Sequence, residues 1–230
     1  WLIQKKAQKS LKESTFSNYL SAISSFYTFC VAEEHLEKSP IKYFWYPRLP
    51  KSIPKYLEKG EIAKIRTQSE QGSLRDRALL EFLLTSGCRV GEANKLNRAD
   101  VDMENRTARV LGKGQKIRDV HFSAKCALLL EAYLESRHDR HPAFFVSKWS
   151  TRLSVSRMYE IINELREKAK LQQSLHPHRL RHTFATELLA KGAPLGFISE
   201  EMGHSNLQTT QIYARLPKQQ IISQYRKYMG

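Results

Sequence analysis

Two arginines, two histidines and a tyrosine stand in this chain at intervals that suit attack on a phosphodiester without a metal. His178-Arg179-Leu180-Arg181-His182 precedes Gly203-His204-Ser205, and Tyr213 follows in Thr209-Thr210-Gln211-Ile212-Tyr213. Far upstream, Ser86-Gly87-Cys88-Arg89-Val90-Gly91-Glu92 supplies the second arginine. Displacement at phosphorus builds negative charge on the nonbridging oxygens. A guanidinium stays charged at any working pH and meets such oxygens with a planar pair of donors, so Arg89 and Arg181 are the candidate clamps. A phenol, with a pKa of roughly 10, needs a nearby base and local positive charge before it can attack. Attack by Tyr213 would form a covalent phosphotyrosine and keep the bond energy for religation without ATP. His178 and His204 can donate to the phosphate or exchange protons, because imidazole titrates near neutral pH.

Taken singly, each residue has a plainer reading. A lone arginine is commonly a surface ion pair, and any one of the ten tyrosines could be a half-buried packing residue. A metal site is the chemical rival, since His178 and His182 stand four apart on one helical face. The intervening residues give no HExxH, however, and Arg179 and Arg181 would crowd an ion with positive charge. No GxxxxGK[ST] run supports a nucleotide-driven motor. Neither a metal nor a cofactor is expected.

On these separated boxes, in this order, the chain resembles the tyrosine recombinases (the phage-integrase family). Its Thr-Thr-Gln-Ile-Tyr segment is most similar to the Xer-type members. The resemblance implies Tyr213 as nucleophile, His178 as general base and His204 as transition-state donor. It implies a hairpin lysine as proton donor to the leaving 5′-oxygen: Lys113 in Gly112-Lys113-Gly114, with Lys116 as fallback. Glu92 matches an acidic supporting position, while His176 and His182 fall outside the matched set and read as capping or structural groups. The activity implied is site-specific recombination of double-stranded DNA through a 3′-phosphotyrosine and a Holliday junction, for integration and excision or for chromosome-dimer resolution. The implied partner assembly is a homotetramer on two DNA sites, with room for an accessory activator and no membrane. A type IB-like topoisomerase and a noncatalytic DNA-binding regulator are the alternatives.

The elements that must position these residues are mostly helical. Apolar residues Phe16, Tyr19, Leu20, Ile23, Phe26, Tyr27 and Cys30 recur at helical spacing from Ser14, an expected N-cap, to about Glu34. Prolines 40, 47, 50 and 54 rule out a long helix and predict a stiff, basic, extended linker. Helices are expected over Glu58–Gln68, Arg75–Thr85 and Val90–Leu96, the last with Arg89 at its start. Thr107–Leu111 and Ile117–His121 flank Gly112-Lys113-Gly114-Gln115-Lys116 and predict a hairpin. Ser123–Arg137 and Ser154–Leu171 read as amphipathic helices. Pro177 can open a helix that Gly192 closes, and Pro194 another that Gly203 ends. Tyr213 is expected on a short helix stopped by Pro217, and Lys218–Tyr228 on a final helix that docks on its own chain or on a neighbour.

The expected fold is therefore mainly α with a small antiparallel β-sheet or hairpin. The family implies a partial helical core-binding domain over residues 1–46, a Pro-rich basic linker over 47–56 and a catalytic domain over 57–230 with a C-terminal exchange helix. Core-binding domains of the family hold about four helices, whereas the front of this chain offers material for about two, so a truncated or minimal domain is expected. The net charge of +15 is spread along the chain, with 10 basic and 5 acidic residues in the first 60 positions, and suits a polyanionic partner. Lys12, Arg48, Lys51 and Lys116 are the candidate phosphate contacts. Cys30, Cys88 and Cys126 lie far apart with no CxxC, and there is no signal-peptide core or spanning segment. A cytoplasmic, nucleoid-associated protein is expected.

Overall fold

A helix that is apolar on every side must be covered on every side. The helix Leu74–Ser86 is of this kind: Ala78, Leu79, Leu80, Phe82, Leu83 and Leu84 are all buried. In the computed structural model, which describes residues 11–49 and 55–203, it forms the centre of the larger of two units. The units are Trp1–Ser52 and Ile53–Gly230.

Within the larger unit the order is α2 (Lys59–Glu70), α3 (Leu74–Ser86), α4 (Val90–Lys95), β1 (Val101–Asp102), β2 (Thr107–Leu111), β3 (Ile117–His121), α5 (Ala124–Glu135), α6 (Val155–Lys168), α7 (Pro177–Ala190) and α8 (Leu195–Met202). Helix α3 packs chiefly against α5 and α7. Phe82, Phe122, Tyr133, Phe144 and Phe145 pack as a chain of aromatic contacts, with Tyr133 and Phe145 stacked 5.8 Å apart. The buried carboxylate of α3, Glu81, is held by Arg66 of α2 through bonds of 2.6 and 2.9 Å. A buried charge persists only when paired in this way.

Serine hydroxyls set three of the helix starts. Ser73, Ser123 and Ser154 each accept the N–H three residues on, at 3.1–3.2 Å, and satisfy a donor that the helix itself cannot. The two expected strands occupy their predicted residues, pairing antiparallel from Thr107↔His121 to Leu111↔Ile117. A third strand, β1, joins the far side of β2. Its two residues are too few to show an alternating pattern in sequence.

In the smaller unit, α1 (Glu13–Ala32) buries Phe16, Leu20 and Cys30. Ser14 is not its N-cap; Lys12 takes that place, its carbonyl accepting from Phe16 N–H at 2.9 Å. The helix starts earlier because Glu13 in the first turn complements the exposed N–H groups. The proline-flanked segment is not wholly extended either, since Tyr43–Trp45 makes one 3-10 turn. Among the described residues no helix is long and apolar enough to cross a membrane. The three cysteines are buried and unbonded to one another.

Candidate active site

The site is built where three chain turns meet. Gly87 ends α3 with φ of +60°, and a side chain there would come within 2.2 Å of the Phe184 ring, so glycine is required for both conformation and space. The turn it makes delivers Arg89 to the N-terminus of α4. Glu92, one turn into α4, accepts the Arg89 N–H at 2.8 Å and its Nη1 at 2.9 Å. Arg89 Nη2 reaches the carbonyl of Gly203 at 3.5 Å.

Arg181 arrives from α7. Its side chain is buried, and its two terminal nitrogens donate to the carbonyls of Gly87 and Met202. Arg89 and Arg181 therefore converge on the same stretch of backbone at the end of α8. Gly203 there has φ of +58°, and the residue after it is His204.

Sequence reasoning missed a third arginine. Arg118 on β3 clasps both oxygens of Glu92, at 2.8 and 3.0 Å. Its signal was available in the strand's alternation: Arg118 shares a face with buried Val120, while Ile117, Asp119 and His121 are exposed. A charge on the inward face of a short strand requires a partner. Burial pushes the Glu92 carboxyl up, but the bonds from Arg118 and Arg89 outweigh it and hold it at about 2. Two guanidiniums share this one carboxylate and Arg181 donates to carbonyls beside it, which leaves a net positive cluster, the sign that a phosphodiester needs. Next to it, burial and then the Glu92 charge push the Cys88 thiol well above its ordinary value, so Cys88 packs as a neutral group.

His178 lies in the first turn of α7, exposed, three residues before Arg181 and so on the same helical face. His176 caps that helix, its Nδ1 accepting the Arg179 N–H at 3.2 Å. His182 is half-buried; burial, then the neighbouring His178 and Arg181, lower its pKa to about 4 and keep it neutral. Among the described residues no group of three His, Cys, Asp or Glu side chains is placed to hold a metal.

The hairpin root touches the same site. A side chain on Gly112 would stand 3.3 Å from Glu92 Oε1, and Gly112 N–H closes the turn on the Lys116 carbonyl at 2.8 Å. Lys113 opens that turn and exposed Lys116 follows it. Lys12 and Arg48 are exposed in the smaller unit. His204, Tyr213, Lys51 and the Lys218–Tyr228 segment lie outside the described residues.

Arg179, two residues from Arg181, does a different job. It is among the largest fully buried side chains and binds Glu61 at 2.8 and 3.0 Å and the Tyr56 carbonyl at 3.1 Å. Thr183, one turn on, accepts the Leu57 N–H at 2.8 Å. These bonds stitch the start of the larger unit onto α7.

Comparison with known proteins identifies the family. Residues 55–220 match the model of the phage integrase family. The chain is 35% identical over 232 residues to tyrosine recombinase XerC of Bacillus subtilis (strain 168), covering 96% of this chain and 76% of the relative. It is 33% identical to XerC of Actinobacillus pleuropneumoniae serotype 7, covering 98% and 75%. The crystal structure of XerA recombinase superposes with a TM-score of 0.70 at 30% identity, covering 97% of this chain and 79% of that one. XerH site-specific recombinase, solved bound to palindromic difH substrate, gives a TM-score of 0.77 at 24% identity, covering 98% and 70%, and supports the fold. The chain belongs to the phage integrase family, the tyrosine recombinases. It is an enzyme of site-specific DNA strand breakage and rejoining.

Proposed function

We propose that Arg89 and Arg181 grip the scissile phosphate, that Tyr213 attacks it, and that His178 and His204 complete the site. Tyr213 Oη forms a bond to phosphorus and gives its proton to His178. The bond to the 5′-oxygen breaks, and Lys113 supplies the proton that the departing oxygen takes. The product is a 3′-phosphotyrosine and a free 5′-hydroxyl. Return of a 5′-hydroxyl from a second duplex reverses these steps and joins the new strand. The observation that carries this reading is the convergence of two buried or half-buried guanidiniums on the backbone immediately before His204.

The substrate in this reading is a double-stranded DNA site, in keeping with the difH-bound state of XerH. Residues 57–230 form the catalytic domain, 1–46 part of a core-binding domain and 47–56 the strap between them. Lys12, Arg48, Lys51 and Lys116 contribute phosphate contacts. Four copies pair two sites and pass through a Holliday junction, with Lys218–Tyr228 exchanged between neighbours. In this reading the protein is cytoplasmic and nucleoid-associated, and serves integration and excision or chromosome-dimer resolution.

The experiment is covalent trapping. The DNA site is first selected from a pool of randomised duplexes by binding to Tyr213→Phe, then rebuilt as a nicked suicide duplex. Wild type is expected to form a protein–DNA adduct that survives denaturation, in excess EDTA as well as without it, and Tyr213→Phe none. Binding by wild type with no adduct would mark the chain as a noncatalytic regulator. Adduct loss in EDTA would overturn the metal-free mechanism. Relaxation of supercoils with no joining of two sites would favour the topoisomerase reading.

A further inference from the structure

Arg118 has no role in the chemistry above, yet all three of its guanidinium nitrogens are engaged within the site. Its fork spans both Glu92 oxygens, and each of those oxygens also receives a donor from Arg89. Arg118 is 14% exposed and Glu92 4%, so water competes little for these bonds. On its other side the Arg118 Nε lies 3.5 Å from the Glu201 carbonyl. The backbone of Gly203 rests directly on it: a side chain at 203 would come within 2.7 Å of Arg118 Nε. A second tie runs in parallel, from His121 at the end of β3 to the Glu201 carboxylate at 2.8 Å. Strand β3 is also the strand that leaves the hairpin carrying Lys113.

We propose that Arg118 is a positioning residue: through Glu92 it fixes the Arg89 guanidinium, and through the end of α8 it fixes the turn that leads into His204. This deepens the proposed function and rests on it. Strand β3, Arg89 and the C-terminal end of α8 then move as one body, so a phosphate contact made by one is made by the others. A planar fork is needed because a single ammonium can bridge only one edge of the carboxylate at a time. Without Arg118, Glu92 keeps Arg89 as its sole charged partner and can turn with it. The guanidinium then leaves its place over the phosphate, and a displacement of about 1 Å costs on the order of 100-fold in rate.

The test is a double-mutant cycle on the full chain, using the selected nicked duplex as probe. It reads equilibrium binding and the rate of adduct formation separately. Arg118→Met is expected to bind the duplex nearly as wild type does while the adduct rate falls roughly 100-fold. Arg118→Lys, which keeps a charge over Glu92 but not the fork, is expected to recover part of that rate. Because Arg118 acts through Glu92, the variant carrying both Arg118→Met and Glu92→Gln should be no slower than the slower single variant. An Arg118→Met rate equal to wild type overturns the proposal, as do losses that multiply in the double variant. If Arg118→Met proves unfolded by circular dichroism, Arg118→Lys with Glu92→Gln supplies the same cycle. A wild type that forms no adduct sinks the parent reading and this one together, whereas an active wild type with an indifferent Arg118 sinks this one alone.

Discussion

Helix α7 carries two buried arginines two residues apart, and they serve opposite ends. On one side Arg179 meets the Glu61 carboxylate and closes the start of the larger unit onto the helix. Arg181, on the other, donates to the carbonyls of Gly87 and Met202, beside a cluster in which Arg89 and Arg118 share Glu92. A carboxylate cancels a guanidinium's charge. Carbonyls satisfy its donors but carry only partial charge, so the positive field survives. The first arrangement holds a fold together; the second suits the anion-binding role proposed above. The lesson is that burial of an arginine does not say what it is for, and the nature of its acceptors does.

Substitutions on the two sides should separate these roles. The largest effect is expected at Arg89→Met, which removes the phosphate donor proposed above: adduct formation should fall roughly 100- to 1000-fold with the melting temperature nearly unchanged. A large loss of melting temperature instead would make Arg89 part of the scaffold and erase the contrast. Next comes Gly87→Ala, where a methyl group meets the Phe184 ring in a left-handed backbone. Urea unfolding should show a loss of about 3 kcal/mol, from overpacking and backbone strain together. Since the same turn delivers Arg89 and receives Arg181, cleavage by the remaining folded protein should also slow. On the structural side, Arg179→Met leaves Glu61 without its partner. A loss of about 2 kcal/mol is expected in urea, below the usual penalty for a broken buried pair because Glu61 keeps some contact with water. Cleavage per folded molecule should hold; a specific drop in cleavage would place Arg179 with the site after all.

The smallest effect is one of pH. His182 has a folded pKa of about 4 against an ordinary 6.5, so the unfolded chain takes up its proton first as pH falls. Its contribution to stability is full above pH 6.5 and is lost between there and about 4. Glu92, held at about 2 against 4.5, contributes fully above 4.5 and loses that contribution as pH falls toward 2. Urea midpoints measured from pH 7 to 4.5 should therefore decline through His182 before Glu92 matters, and His182→Gln should make that decline shallower. His176, whose pKa is lowered first by burial and then by His178 and Arg179, adds a smaller slope of the same sign.

Local chemistry was readable along the chain. The helices read from Ser123 and Ser154 begin there, glycines at 87 and 203 marked helix ends, and the hairpin strands stood at their predicted residues. Arg89, His178 and Arg181 were singled out by their intervals, and the helix and turn that carry them were expected where they occur. Where the competing signals were close together, as with Lys12 against Ser14 at the start of α1, the pattern chose the wrong residue.

Partnership was not readable, because it depends on residues far apart in sequence. Nothing near Arg118 points to Glu92, 26 positions away, and nothing near Arg179 points to Glu61, 118 positions away. Residue type and spacing fix a backbone path and the chemistry it can carry, since those follow from bonds made within a few residues. Which of Arg89, Arg118, Arg179 and Arg181 meets a carboxylate, and which meets backbone carbonyls, follows from the desolvation and pairing that packing imposes when distant turns are brought together.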